Sequence, residues 1–340
     1  ITLFDGNITS GDATFTSATA SFTSADIGKV ITIIGAGGAT IDLTTTILSI
    51  NSATSVELAT NASATVVDVN YTYGTDDTAA IQSAITAVGT TTNKFAQIFF
   101  PAGIYIVNGT FTAANNSQLG LPTVSRASGA AAPIYTIFFK GSAVNTNQTA
   151  GNFYGLGGSI IYSTRYGTNG TYSILSGIAT HASNPGNCTQ VKVVIEDLTF
   201  RTVQNPTNSA INLGTTLTAY MKNVLVDTAG ISNTDMPQPT TSGTYGIIAP
   251  TNLNGATTLF ENIKTRGFYN GIQLSEHGNL SKSLHFYHVN AIVINGLSTS
   301  HSKYLSHVTV ERCQKVLNFI GGPSYVNIQG LEIEHNGTDG

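Results

Sequence analysis

Five charged residues occupy the same position of a recurring pattern. Arg201, Asp227, Arg266, Glu311 and Glu334 fall in IEDLTFRT, MKNVLVDT, FENIKTRG, LSHVTVER and IQGLEIEH, in a chain that is only 9% charged. If these segments stack, the five side chains form a column with a spacing of about 4.8 Å. Two functions are open to such a column. As a sugar-binding face, Arg201 and Arg266 would hold carboxylate or hydroxyl groups while Glu311, Glu334 or Asp227 serve as acid and base. Glycoside hydrolysis needs two carboxylates roughly 5 to 9.5 Å apart, which neighbouring rungs supply. As a structural ladder, the same charges would pair with one another and discourage lateral aggregation. Glu276 and His277 follow the strand-like NGIQL and add an acid beside an imidazole, a pairing suited to proton transfer or substrate contact.

Metal chemistry has little support. His285, His288, His301 and His307 are close in sequence but match no H-x-H or H-E-x-x-H spacing. Cys188 and Cys313 match no metal motif and read as two buried thiols rather than a disulfide. No cofactor signature is present. Tyr154, Tyr162, Tyr166, Tyr172, Tyr245, Phe268 and Tyr269 could stack on sugar rings or serve packing.

The elements that must position these residues follow from the repeat. Its third position holds Asp197, Asn223, Asn262, His307 and Gly330, types that tolerate left-handed backbone or bond their own main chain at a sharp corner. A shorter pattern, SAINL, NGIQL, NAIVI and KVLNF, follows most copies. Units of strand, turn and strand that cannot bury an apolar face alone are the mark of a solenoid. We therefore expect an all-β chain, a right-handed parallel β-helix over 71–340. Leu198/Phe200, Val224/Val226, Ile263/Thr265, Val308/Val310 and Leu331/Ile333 should point inward, and Thr199, Leu225, Lys264, Thr309 and Glu332 outward. The end of the chain after GLEIEH leads us to expect a continuation beyond residue 340 or cover from neighbouring subunits.

Residues 1–70 alternate apolar and polar positions in short runs such as ATFTSATASF and GKVITIIGAG, which predicts a small sandwich or barrel. Between the two regions, Ala80, Ile81, Ala84, Ile85 and Val88 recur at helical spacing, predicting a capping helix over about 76–88. Asp76 and Asp77 stand where oxygen-bearing side chains cap free N–H groups, so their expected role is to start that helix.

Composition narrows the partners. Net charge is −4, and Lys and Arg do not cluster, which points away from nucleic acid and anionic membrane surfaces. No apolar run is long enough to span a bilayer as a helix.

GTDDTAAIQSAI followed by IFFPAGIYIV resembles the opening segment of pectate-lyase-superfamily β-helix proteins, in particular phage tailspikes and capsule depolymerases, and ADIGKVITIIGAG resembles modules that precede such helices. The resemblance implies recognition, and in some members cleavage, of a bacterial surface polysaccharide by a homotrimer at an extracellular or virion surface. Non-catalytic adhesive fibres and free-standing polysaccharide lyases or hydrolases share the fold, so those alternatives stay open. The G-H-G and R-I-K patterns of polygalacturonases are missing, and the sole Asp-Asp lies in the opening segment. The calcium-binding acidic cluster of pectate lyases is missing too, so the resemblance assigns neither activity.

Overall fold

The computed structural model describes the chain except residues 1, 39–40, 91–94, 112–116, 123–134, 143–157, 167–171, 178–190, 215, 217, 230–240, 251–256, 275–278, 288–289, 297–302, 312, 322–324 and 335–340. Six antiparallel strands come first: β1 (Thr2–Ile8), β2 (Thr14–Ser17), β3 (Val30–Gly38), β4 (Ile41–Ser52), β5 (Ser55–Leu58) and β6 (Val66–Gly74). They close a barrel in the order β1-β2-β5-β4-β3-β6, which removes free sheet edges. Phe15, Ile31, Ile33, Val56 and Tyr71 fill its interior. Strand β6 runs from Val66 to Gly74, across the boundary at 70 expected from the alternating runs.

Helix α1 (Thr78–Thr90) begins after the acid pair. Asp76 Oδ1 accepts bonds from Thr78 N at 3.0 Å and from Asn108 N at 3.1 Å, satisfying amides that open the helix and follow a neighbouring strand. The Asp77 amide donates to Ile106 O at 2.7 Å. Ile81, Ile85 and Val88 insert into the solenoid's apolar core against Phe100, Val107, Leu119 and Leu121.

The solenoid strands are β7 (Phe95–Phe100), β8 (Gly103–Val107), β9 (Ser117–Gly120), β10 (Tyr135–Gly141), β11 (Ser159–Ser163), β12 (Ser173–Ser176), β13 (Val191–Thr202), β14 (Ser209–Asn212), β15 (Thr218–Thr228), β16 (Tyr245–Ile248), β17 (Thr257–Arg266), β18 (Asn270–Leu274), β19 (Asn279–Tyr287), β20 (Asn290–Gly296), β21 (Lys303–Glu311), β22 (Lys315–Gly321) and β23 (Val326–Glu334). All of their pairings are parallel: β7, β10, β13, β15, β17, β19, β21 and β23 form one ladder, and β9, β12, β14, β16, β18, β20 and β22 another. The chain is a parallel β-helix.

Helix α1 also closes the free edge of the second ladder. Gln82 Nε2 donates to Gly120 O at 3.0 Å and Gln82 Oε1 accepts from Gly120 N at 2.8 Å. One carboxamide thereby stands in for the peptide group that a further strand would offer.

Each long strand bends once, at a residue with positive φ: Asp197 (54°), Asn223 (51°), Asn262 (53°), Ser283 (55°), His307 (52°) and Gly330 (71°). The corner side chains bond to one another. Asn223 Nδ2 donates to Asp197 Oδ1 and Asn262 Nδ2 to Asn223 Oδ1, both at 2.8 Å, and Lys140 caps the run at Asp197. The bend divides the long strands into two faces. Beyond it, Leu198, Val224, Ile263, Leu284, Val308 and Leu331 stand in register, as do Phe200, Val226, Thr265, Phe286, Val310 and Ile333. All point inward and are buried except Leu331 and Ile333 on the last rung.

Gly141 meets the first corner from the neighbouring rung. A Cβ there would lie 2.0 Å from the Asp197 carbonyl oxygen, so the glycine is required by close approach of two backbones. Gly141→Ala should therefore lower unfolding free energy by about 1–3 kcal/mol, measured by urea denaturation. An unchanged midpoint would show that the two rungs separate easily.

The barrel docks on the outer face beyond the bend. Ile160, Tyr162 and Ala229 pack with Ile34 and Ile104. Thr44 Oγ1 donates to Thr164 O at 2.8 Å, the Asp42 amide to Tyr166 Oη at 2.8 Å, and the Gln204 amide to Asp42 Oδ2 at 2.8 Å. Burial pushes the Asp42 carboxyl up to about 6, against the lowering effect of bonds from the Gln204 and Gly35 amides. A raised carboxyl pKa favours the folded form below the ordinary range near 4 and loses that contribution as pH rises through about 6. Thermal unfolding should thus show greater stability at pH 5 than at pH 8, by about 1.4 kcal/mol, from this residue. Asp42→Asn should flatten the difference; an equal pH dependence in that variant would remove Asp42 as its source.

Candidate functional site

Two outward columns run along the face beyond the bend. The first contains Thr199, Leu225, Lys264, His285, Thr309 and Glu332, each facing the next in register. In the second, Arg201 faces Asp227, Arg266 faces Tyr287, and Glu311 faces Glu334. The charged residues expected to form a column therefore stand in register, Arg201 with Asp227 and Glu311 with Glu334.

Its first three charges do not form an open sugar-binding surface, which corrects the expectation for Arg201, Asp227 and Arg266. They are 8%, 1% and 2% exposed. Arg201 Nε and Nη2 grip the two Asp227 oxygens in a bidentate pair, each at 2.9 Å, and Arg266 Nη2 reaches Asp227 Oδ2 at 2.8 Å. Both guanidiniums hold the Asp227 carboxyl below the usual carboxylate range despite its burial. A carboxylate locked this way is a poor proton donor or acceptor for a substrate. Tyr162, buried beneath the barrel, stands in register with Arg201 and closes that end.

The open part begins at Lys264. Burial, then the neighbouring Arg266 charge, lowers its ammonium pKa to about 8, with Glu311 and Asp227 opposing. Such an amine is partly unprotonated in mildly alkaline solution and can act as a base. His285, on the next rung, is lowered to about 4 by burial and by Lys264, against the pull of Glu311. Its imidazole is neutral at pH 7. His285 Nε2 lies 3.4 Å from Glu311 Oε2. Glu334 follows Glu311 in register and is exposed. Lys264, His285, Glu311 and Glu334 thus come from four successive rungs of one face, the first three half-buried and the last exposed.

Glu276 and His277 lie outside the described residues, as do Tyr154, Cys188, His288 and His301. Phe268 is fully buried, Tyr166 is engaged with the barrel, and the buried Cys313 thiol points at the Phe286 and Glu311 carbonyls. His307 occupies a corner. Among the described residues, no group of three His, Cys, Asp or Glu side chains is arranged to hold a metal ion.

Sequence reasoning missed His285 as a partner of Lys264 because the β19 rung was not recognised. Its corner residue is Ser283, outside the Asn, Asp, His and Gly set that revealed the other corners. The alternation in SLHFY, with Leu284 and Phe286 inward, was the available signal.

No protein-family profile matches the chain, and no curated protein matches its sequence. Among solved structures, it is similar to the tailspike gp61 of Pseudomonas phage phi297, with 13% identity and a TM-score of 0.29 over 97% of this chain and 62% of that one. It is also similar to the A-module of the mannuronan C-5 epimerase AlgE4 of Azotobacter vinelandii, with 10% identity and a TM-score of 0.23 over 78% of this chain and 96% of that one. A third is the tailspike protein gp49 of Pseudomonas phage LKA1, with 10% identity and a TM-score of 0.21 over 98% of this chain and 63% of that one. The chain spans less than two thirds of the length of either tailspike. At these values no residue role passes from those proteins to this one.

Proposed function

We propose that this chain is a tailspike-like protein that binds an acidic bacterial surface polysaccharide along the open face beyond the bend and cleaves it there. The observation that carries this reading is the set Lys264, His285 and Glu311, contributed by successive rungs, in which the amine titrates near 8 and the imidazole is neutral at pH 7. An amine of that pKa, beside buried positive charge, suits removal of a proton next to the carboxylate of a uronic acid. Loss of the glycosidic oxygen, which takes up a proton from water as it departs the neighbouring carbon, then breaks the bond and leaves an unsaturated sugar. In this reading Lys264 takes the proton, while His285 and Glu311 set its position and field. Asp227, Arg201 and Arg266 form the rigid base on which that set rests.

A second reading is favoured by the in-register pairing of Glu311 with Glu334. Adjacent rungs put two carboxyl groups near the roughly 5 Å separation of a retaining glycosidase. Incubation with acidic capsular polysaccharides separates the two. Elimination gives ultraviolet-absorbing unsaturated ends, whereas hydrolysis gives reducing ends without absorbance. Loss of turnover in a Glu311→Gln, Glu334→Gln double variant, with saturated products from the parent, would establish hydrolysis. Binding without turnover across the panel would favour an adhesive fibre. We further propose a homotrimer working at the virion or cell exterior, which sedimentation of the purified chain tests.

A further inference from the structure

A groove of about 450 Å³ runs between the barrel and the solenoid, and none of the charged-column residues lines it. Its volume falls within the roughly 300–1,000 Å³ of ordinary ligand sites. The barrel contributes Thr44, Thr46 and Thr60, and the solenoid contributes Asn108, Arg165 and Tyr166.

The polar groups divide unequally. Asp42 also lines the groove, but it is buried, and its carboxylate oxygens are engaged by the Gly35 and Gln204 amides. Tyr166 Oη accepts from the Asp42 amide, and Thr44 Oγ1 is committed to Thr164 O. Arg165 is exposed and uses Nε on the Asn108 carbonyl, a bond that fixes the guanidinium while leaving its two terminal nitrogens for other acceptors. Asn108 accepts from Thr164 Oγ1 through Oδ1 at 2.9 Å, which directs its amide nitrogen elsewhere as a donor. Thr60 Oγ1 receives the Thr45 hydroxyl at 3.1 Å and keeps its own proton to give. The accessible groups are therefore mainly donors around one fixed cation.

We propose that this groove is a second carbohydrate site, which holds the acidic group of a charged oligosaccharide on Arg165 and Asn108 while sugar hydroxyls meet Thr46 and Thr60. A planar guanidinium takes a carboxylate through two parallel bonds, and a row of threonine hydroxyls matches the donor and acceptor character of a sugar edge. The site is separate from the Lys264 set and stands whether or not that set turns a substrate over. Its position at the junction means that an occupied groove contacts both units at once and braces the barrel against the solenoid.

The test is amide NMR of the full chain titrated with trigalacturonate, a sulfated heparin-derived tetrasaccharide and neutral maltotriose. We expect the acidic sugars to shift the Thr46, Thr60, Asn108 and Arg165 amides, and maltotriose to do so at least about tenfold more weakly. The ratio between the two acidic probes reports whether carboxylate or sulfate is preferred. Arg165→Gln should weaken acidic binding about tenfold with unchanged thermal stability, since the residue is exposed, and Thr46→Val should weaken it a few-fold. Lys264→Met should leave these shifts unchanged while affecting turnover, so failure at one site does not imply failure at the other. Absence of groove shifts with both acidic probes, or equal affinity of Arg165→Gln and the parent, would overturn the proposal.

Discussion

Asp227→Ala should be the most destabilising single substitution on the outer face, lowering unfolding free energy by about 3–5 kcal/mol. The side chain is 1% exposed and bridges two guanidiniums that are themselves buried. Removing it leaves two like charges close together without their counter-ion. Both were desolvated when the rungs stacked, so the loss exceeds that of an exposed ion pair, about 0–1 kcal/mol. The pH dependence has a defined sign. Asp227 is held below its ordinary pKa, so its contribution is present above the normal carboxylate range and lost as pH falls through the lowered value. Asp42 acts in the opposite direction, and the two can be told apart by unfolding the single variants across pH. A loss under about 1 kcal/mol for Asp227→Ala in urea would mean that water reaches this triad.

Lys264→Met should reduce turnover of an acidic polysaccharide by about 10²–10⁴-fold while leaving the fold intact. Methionine retains the length and much of the apolar stem, so packing along the column changes little. Activity of the parent should rise with pH through about 8, as the amine loses its proton. Lys264→Arg, which keeps the charge but has no accessible neutral form, should be nearly as inactive. Comparable rates for the parent and Lys264→Arg would eliminate Lys264 as the base and direct attention to Glu311 and Glu334.

Much of this architecture could be read from residue types at the corners. Asp197, Asn223, Asn262, His307 and Gly330 marked the bends because few residues accept a left-handed backbone, and each is at positive φ. The alternation that follows each corner set which residues face inward, and Leu198, Phe200, Val224 and Val226 are buried as that register requires. Ser283 broke the pattern, and with it went the rung that brings His285 beside Lys264. The cap at Asp76 and the apolar face of α1 were legible for the same local reason: they depend on neighbours a few residues away.

The site was less legible because its properties arise between distant segments. The residue spacing aligned Arg201, Asp227 and Arg266, but it carried no information that a barrel built from residues before Gly74 would dock near that end of the face. Outward direction therefore failed to predict exposure. Likewise, the lowered pKa of Lys264 comes from burial and from a guanidinium two positions along its own strand, effects that charge spacing alone does not weigh. The groove at Arg165 was invisible for a related reason, since its two walls come from different units.

The electrostatic coupling of stacked rungs can be measured without knowing the substrate. The most direct measurement is an NMR titration of the His285 imidazole in the parent and in Lys264→Met, with His285→Gln identifying the resonance. Burial, and then the lysine stacked in register, hold the imidazole pKa down, so it should titrate near 4 in the parent and move partway upward once that positive charge is removed. An imidazole that titrates near its ordinary 6.5 in both proteins would contradict the arrangement of this face.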